Sequence, residues 1–140
     1  MIIGETADSD RGELALRVAP MPRDTNAAGD VFGGWLMAQA DVAGSIAAYR
    51  RARGRVVTVA VNSFVFLEPV YVADLVSFYA KVVRVGNTSL TADVEVFVER
   101  DRGLQGIGDH IKVAEARITY VALDEHRRPR AVDPPGVGEP

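Results

Sequence analysis

The sequence predicts an α+β domain in which an antiparallel sheet of five strands wraps around one long central helix. Two observations predict this fold: a helical segment that is apolar or small on every side, and four valine-rich strands in succession after it, with one short strand before it. A helix without a charged face is normally buried. A curved sheet that wraps around such a helix buries it along its length.

The predicted helix runs from Val31 to about Arg50. Large apolar side chains recur there every three or four positions, and the opposite face carries alanine and glycine where a surface helix would carry charge. Arginines follow where the negative end of the helix dipole favours cations, and Gly54 ends the segment. Before the helix, residues 14–18 alternate as a short strand and residues 22–30 have the composition of a turn.

The four later strands are indicated by their valine and threonine content and by alternation. They are predicted over Val56–Phe66, Leu75–Val85, Thr88–Val98 and Ile111–Leu123. Gly86 and Asn87 form a two-residue loop of the hairpin type. Residues 1–124 are therefore interpreted as a single domain, and residues 125–140, which gather prolines without periodicity, as a loosely ordered tail.

Composition narrows the classes of function. The chain has no cysteine, which excludes disulfides and a thiolate zinc site, and its two histidines are too scattered to favour a metal centre. A formal net charge of −3 argues against a general nucleic-acid binder. No segment has the length needed to cross a bilayer and no leader is visible, so a cytoplasmic protein without membrane partners is expected.

The chemistry is predicted at the entrance of the helix, in the segment Asn26-Ala-Ala-Gly-Asp30-Val-Phe-Gly-Gly34. One reading is structural, because Asp is a preferred N-cap residue and glycines give a helix room. However, two adjacent glycines in a first turn cost about 1 kcal/mol each relative to alanine, and a cap does not require them. Bare amides at a helix N-terminus bind anions, and a neighbouring carboxylate supplies a base or nucleophile. We therefore predict an acyl-transfer site with Asp30 as the carboxylate and the amides near Gly33 and Gly34 as the oxyanion hole.

The same residues carry a resemblance to a known family. The segment MPRDTNAAGDVFGGWLMAQAD, Met21 to Asp41, resembles the signature of the YciA-type acyl-CoA thioesterases, which are related to the brain acyl-CoA hydrolases. The likeness continues through residues 54–76, 85–96 and 112–124, in order and with few length changes. It leaves out the first ten residues and the tail after Pro129.

The resemblance implies a hotdog fold and hydrolysis of acyl-CoA thioesters to free acid and CoA, without a cofactor. It implies that two protomers join their sheets edge to edge and share two active sites, and that dimers assemble further into a hexamer as a trimer of dimers. It also implies that Asp30 is catalytic and that Asn26 belongs to the same motif. Ala28 stands where the family commonly has asparagine. Whether Asp30 acts as a base or as a nucleophile is open.

Contacts to the CoA half are predicted elsewhere. The turn Gly86-Asn87-Thr88-Ser89 resembles the G-x-T-S turn that holds pantetheine and phosphates in the family, although a plain hairpin turn fits equally well. Arg55 is a candidate for a CoA phosphate, with a solvated arginine as the alternative. A basic run in the tail is a further candidate, although such runs are more often simply exposed. It consists of Arg127, Arg128 and Arg130.

Two other polar residues are given structural roles. Asp41 falls three helical turns beyond Asp30, too far to share its chemistry, and is expected to make a structural hydrogen bond. Asn62, in an apolar strand beside the expected dimer seam, is interpreted as a satisfied edge residue, with a ligand contact across the interface as the alternative. Trp35 and Met37 are assigned to the core, with a position beside the acyl tunnel as the alternative.

Two functions compete with hydrolysis. A non-catalytic acyl-CoA sensor would keep the fold and the CoA turn, and the presence of Asp30 argues against it. A hotdog hydratase or dehydratase generally depends on a histidine, whereas His110 is predicted in a glycine-rich loop and His126 in the tail. The acyl-chain length is left open, because the pocket floor depends on packing between protomers.

Overall fold

The computed structural model describes residues 11–100 and 109–135. It contains five strands and one long helix in that part of the chain. We label them β1 (Glu13–Val18), α1 (Gly33–Ala52), β2 (Val56–Phe66), β3 (Leu75–Val85), β4 (Ser89–Arg100) and β5 (Asp109–Ala122). A single 3-10 turn, Pro22–Asp24, lies between β1 and α1. The predicted fold class, an α+β hotdog arrangement, is confirmed.

The strands form one antiparallel sheet in the order β1-β3-β4-β5-β2, so that β1 and β2 are its edges. Helix α1 contacts all five strands and covers one face of the sheet. The side chains of β4 that face the helix are fully buried at alternate positions from Leu90 to Val98, as the alternation predicts. On α1 the small residues Ala40, Ala43 and Ala48 are also fully buried, which lets the helix lie close to the sheet.

The helix begins two residues later than predicted, at Gly33. Val31 donates its amide to the carbonyl oxygen of Val70 at 2.8 Å, and Asp30 pairs with Tyr71 as an isolated antiparallel bridge. These two residues are therefore extended backbone. Strand pairing with the segment before β3 delays the helix, and periodicity alone does not reveal it.

His110 is another correction, because it lies in β5 and not in the predicted glycine-rich loop. Its ring stacks on Phe97 with centroids 5.0 Å apart. Phe97 alternates with the buried residues of β4, so this pair lies on the face of the sheet away from α1. The rest of that loop, residues 101–108, is outside the described residues.

The chain after β5 packs on the domain at least as far as Val132. Arg130 donates to the carbonyl oxygens of Ala52 at 2.8 Å and Leu123 at 3.1 Å, and Val132 is buried. The prediction of a loose tail from residue 125 is therefore wrong for this part, because an arginine turned inward satisfies the end of α1. Residues 136–140 lie outside the described residues. No helix in the described part of the chain is long and apolar enough to cross a membrane.

Candidate active site

Asn26 organises the loop that leads into α1. Its side-chain oxygen accepts hydrogen bonds from the amides of Ala28 at 2.9 Å and Asp30 at 3.1 Å. Its own amide donates to the carbonyl oxygen of Asp30 at 2.8 Å. Gly29 completes the turn with φ of 91°, a conformation that favours glycine. The Asn26 side chain therefore holds this loop in position. The loop has this shape with alanine at position 28, where the family commonly has asparagine.

Asp30 does not cap the helix. Phe32 occupies the N-cap position, and no side chain from residues 11–100 or 109–135 caps the first turn. The Asp30 side chain is half-buried and lines an open cleft of about 380 Å³ together with Glu68, Leu36 and Phe66. Its carboxylate accepts no hydrogen bond from any residue that the structure describes. The carboxylate is therefore accessible and is held only through its backbone.

Gly33 and Gly34 form the first two positions of α1, and their amides meet no acceptor in the described part of the chain. A Cβ on Gly33 would come within 3.0 Å of the Phe66 ring, so packing explains that glycine. A Cβ on Gly34 would meet nothing within 4 Å, so the fold of one chain does not explain the second glycine. Both amides point out of the end of the helix, where its positive pole favours an anion.

Asp41 lies further along α1 and accepts two side-chain hydrogen bonds. The Thr58 hydroxyl donates to Asp41 Oδ1 at 2.7 Å. The Tyr120 hydroxyl lies 2.9 Å from the Asp41 carbonyl oxygen and 3.1 Å from the same Oδ1. The predicted hydrogen bonding of Asp41 is thereby confirmed. Burial, followed by the charge and hydrogen bond of Asp41, raises the pKa of the Tyr120 hydroxyl above its ordinary value of 10.0.

The predicted CoA contacts gather at the opposite end of the molecule. In the hairpin, Gly86 donates its amide to Ser89 at 2.8 Å, and Thr88 accepts from the amide of Ala122 at 2.9 Å. Asn87 accepts from Val132 at 2.8 Å. Arg55 lies at the same end, directly before β2.

The backbone of Arg55 also accepts a hydrogen bond from the amide of Leu123, which follows β5. The hairpin, Arg55 and the C-terminal segment therefore meet where α1 ends. Helix α1 has 20 residues and is about 30 Å long, so it separates this group from Asn26 and Asp30 within one chain.

The arginines of the C-terminal segment divide into two groups. Arg130 caps the end of α1 and is not available to a phosphate, which corrects its assignment to an exposed basic run. Arg127 and Arg128 are exposed. Arg51 forms a bidentate ion pair with Asp133 at 2.8 and 2.9 Å, which fastens the segment to α1.

The remaining polar and core predictions have mixed outcomes. The Asn62 side-chain oxygen accepts from the Thr119 hydroxyl at 2.7 Å, as expected of a satisfied edge residue. Trp35 packs edge-on against Phe78, with centroids 6.4 Å apart. Met37 is exposed, so its assignment to the core is wrong for a single chain.

A buried ion pair that the sequence analysis missed supports the turn beside Asp30. Asp74 is 2% exposed and binds Arg100 through two hydrogen bonds of 2.8 Å. It also accepts from the amide of Tyr71 at 2.9 Å, and Arg100 donates to the carbonyl oxygen of Pro69 at 3.0 Å. Tyr71 is the bridge partner of Asp30. No short-range signal marks this pair, because its members lie 26 residues apart.

The described residues contain no group of three His, Asp or Glu side chains that could hold a metal ion. The chemistry that the geometry offers is that of carboxylates, hydroxyls and free amides. Asp30 combines an accessible carboxylate with nearby amides, and Asp41 combines a carboxylate with two hydroxyl donors.

Comparison with known proteins gives the family. Residues 28–105 match the thioesterase superfamily. The acyl-CoA thioester hydrolase YciA of Escherichia coli K12 is 47% identical over 127 residues, which are 91% of this chain and 96% of that protein.

Two solved structures are similar over most of the chain. The hexameric, broad-specificity acyl-coenzyme A thioesterase HI0827, in a variant with an aspartate replaced by alanine, superposes with a TM-score of 0.82 at 42% identity and 91% coverage of both chains. The acyl-CoA hydrolase of Staphylococcus aureus, solved with butyryl coenzyme A, coenzyme A and coenzyme A disulfide, has a TM-score of 0.74 at 31% identity, covering 83% of this chain and 68% of that one.

The Staphylococcus aureus enzyme has also been solved as three single alanine variants. They replace an asparagine, an aspartate 15 positions after it and a threonine 17 positions after the aspartate. The matches to the curated relative and to HI0827 each cover 91% of this chain. The chain therefore belongs to the thioesterase superfamily and, within it, to the YciA acyl-CoA thioester hydrolases.

Proposed function

We propose that this protein hydrolyses acyl-CoA thioesters to the free acid and CoA, without an added cofactor, and that Asp41 supplies the carboxylate. The observation that carries the proposal is the geometry around Asp41, whose Oδ1 accepts from both Thr58 and Tyr120 while Oδ2 accepts no hydrogen bond from a described residue. A carboxylate fixed by one oxygen presents the other in a defined direction.

A match of intervals supports Asp41 independently. Asn26, Asp41 and Thr58 follow one another at the two intervals that separate the replaced asparagine, aspartate and threonine of the Staphylococcus aureus enzyme. Neither of the other two asparagines in this chain begins such a series. The aspartate and the threonine of the series are the two residues joined by the 2.7 Å hydrogen bond.

In the reaction, the Asp41 carboxylate takes a proton from water while the water oxygen attacks the thioester carbonyl. Alternatively, it attacks the carbonyl itself and forms an anhydride, which water then cleaves. In both routes the bond from carbon to sulfur breaks, and the thiolate leaves and regains a proton. Free amides such as those of Gly33 and Gly34 would stabilise the tetrahedral oxyanion.

One chain does not bring these groups together. Gly34 and Asp41 are seven positions apart on α1, or about 10 Å along its axis, so both cannot contact one carbonyl. Asp41 is bonded to Thr58 on β2, an edge strand. A second protomer that pairs along β2 would bring its own helix entrance toward Asp41.

The exposed side chains of β2 support this dimer. They include Val57, Val59, Val61 and Val65, which are 41 to 55% exposed in one chain. Exposed apolar edge strands normally gain a partner. We propose a homodimer joined at β2, with two shared active sites, and further assembly into a hexamer of the kind described for HI0827.

The positions of the predicted CoA contacts also favour a site shared between two protomers. Arg55 and the hairpin Gly86 to Ser89 lie about 30 Å from the helix entrance of their own chain. We therefore propose that they hold the nucleotide and pantetheine of a substrate whose thioester reaches a shared site. A cytoplasmic location stays a prediction.

Asp30 is the alternative carboxylate, and its accessibility favours it. It borders a cleft and lies close to the free amides of its own helix, so it would need no partner protomer. In its favour, the Asn26 side chain fixes its backbone at 3.1 Å. Against it, no described residue orients the carboxylate.

The function is tested by the release of free CoA from a panel of acyl-CoAs, which also defines the acyl-chain length. We expect turnover by the wild type and none above background by Asp41→Asn. CoA that binds tightly while no acyl-CoA is hydrolysed would favour the sensor instead. Hydration of an enoyl-CoA without CoA release would favour the hydratase.

Mixing of subunits tests whether the site is shared. We expect Asn26→Ala to be less active than the wild type, because the loop that leads into the helix entrance loses two hydrogen bonds. Asp41→Asn mixed with Asn26→Ala, after dissociation and reassembly, should then recover activity, because one site of each mixed dimer carries both wild-type residues. The control mixes each variant with itself. Mixed dimers no more active than the sum of the two variants would contradict a shared site.

A further inference from the structure

The Tyr120 hydroxyl is an unusual feature of the core. The side chain is fully buried on β5, among residues that are otherwise apolar. A buried tyrosine hydroxyl needs a hydrogen-bond partner. The partner of Tyr120 is Asp41, through the carbonyl oxygen at 2.9 Å and Oδ1 at 3.1 Å.

The register of the sheet explains why two hydroxyls reach one carboxylate oxygen. Thr58 and Tyr120 are directly paired across β2 and β5. Paired residues in an antiparallel sheet project to the same face. Both hydroxyls therefore face α1 at the same level, where Asp41 Oδ1 lies.

Gly44 provides the space for the hydroxyl. It lies three positions after Asp41, on the same side of α1. A Cβ at this position would overlap the Tyr120 hydroxyl and would lie 3.1 Å from the ring carbon that bears it. Glycine within a helix is unfavourable relative to alanine, so its presence here has a specific reason.

We propose that Tyr120 is a positioning residue for thioester hydrolysis: it shares Oδ1 of Asp41 with Thr58 and so leaves Oδ2 directed at the reacting water or carbonyl. This inference rests on the proposed function of Asp41. The hydroxyl stays protonated and able to donate near neutral pH, because burial raises its pKa.

The primary test is Tyr120→Phe, which removes the donor and keeps the ring. We expect kcat to fall about tenfold, because one hydrogen bond to the reacting carboxylate is lost, while KM changes less than twofold because no CoA contact is touched. Tyr49→Phe is the matched control, since Tyr49 is 57% exposed on α1, the helix that carries Asp41, and it should keep the wild-type kcat. A wild-type kcat in folded Tyr120→Phe would overturn the inference.

The second variant is Gly44→Ala, whose added methyl group displaces the Tyr120 hydroxyl from the side of the helix. It tests the inference if Tyr120→Phe does not fold. We expect a similar fall in kcat and a lower Tm, and we expect Gly44→Ala/Tyr120→Phe to regain part of the Tm without regaining kcat. Recovery of kcat in the double variant would contradict a role for the hydroxyl.

Asp41→Asn in the same assay separates the two hypotheses. If Asp41→Asn is inactive while Tyr120→Phe and Gly44→Ala both have the wild-type kcat, the positioning role fails and the proposed function stands. If Asp41→Asn keeps the wild-type kcat, the proposed function of Asp41 fails, and the positioning role fails with it.

Discussion

The surroundings of Asp30 and Asp41 differ in what holds each carboxylate. Asp30 lies before α1, where backbone pairing with Tyr71 and the Asn26 side chain fix its main chain, and its carboxylate has no hydrogen-bond partner among the described residues. Asp41 lies within α1, where two hydroxyls from the sheet fix the side chain itself. A carboxylate in a short local motif can be found in the sequence, whereas a carboxylate oriented by distant side chains depends on the fold. Catalysis depends on position, which is why we favour Asp41.

The largest expected effect on stability comes from the buried ion pair of Asp74 and Arg100, which supports the turn beside Asp30. Arg100→Met leaves the charge of Asp74 buried and unpaired, and we expect the free energy of unfolding to fall by about 3 kcal/mol in a urea titration. Hydrogen exchange should become faster at the amides of Val31 and Tyr71, which depend on this turn. It should change little in β2 around Thr58, beside Asp41.

The control for this prediction is Asp74→Asn/Arg100→Met. Because no buried charge remains unpaired, the double variant should lose less stability than Arg100→Met alone. An equal or greater loss would mean that the pair is not the source of the effect.

A smaller effect is expected from the Asn26 side chain. Asn26→Ala removes the acceptor for the amides of Ala28 and Asp30, and we expect a loss of about 1 kcal/mol in the free energy of unfolding. Exchange of those two amides, measured by NMR, should become faster. Asn26→Asp keeps the acceptor oxygen and should preserve their protection; equal exposure of the amides in both variants would argue against the hydrogen bonds.

The smallest effect is a pH dependence on the Asp41 side of the comparison. The pKa of Tyr120 is higher in the folded protein than in the unfolded chain, so the folded state keeps a proton that the unfolded state releases above about pH 10. This contribution to stability is complete below that pH and is lost as the pH rises further. Between pH 9 and pH 11 the Tm of wild type should therefore fall more than that of Tyr120→Phe, and parallel curves would contradict the assignment.

The sequence predicted most of the fold because its signals are local. The small residues around α1 and the alternation in β4 are visible in short windows. The predicted start of α1 at Val31 is wrong because Val31 pairs with Val70. The predicted loose tail is wrong because Arg130 reaches back to Ala52. Both errors come from contacts between distant parts of the chain.

The candidate site was predicted in part for the same reason. Asn26, Asp30 and the glycine pair form a compact motif that is visible in the sequence. The partners of Asp41 lie 17 and 79 positions away, at Thr58 and Tyr120, and only the register of β2 with β5 brings them together. A tyrosine on the otherwise apolar, buried face of β5 was the one available signal.

The most direct test of the account compares the two carboxylates in one assay. Asp41→Asn and Asp30→Asn are nearly isosteric changes that remove one charge each, and far-UV circular dichroism checks that both variants fold. We predict that the kcat of Asp41→Asn for CoA release falls by about a thousandfold or more, and that Asp30→Asn loses at most about tenfold. A thousandfold loss in Asp30→Asn with nearly full activity in Asp41→Asn would contradict the account and restore Asp30 as the catalytic carboxylate.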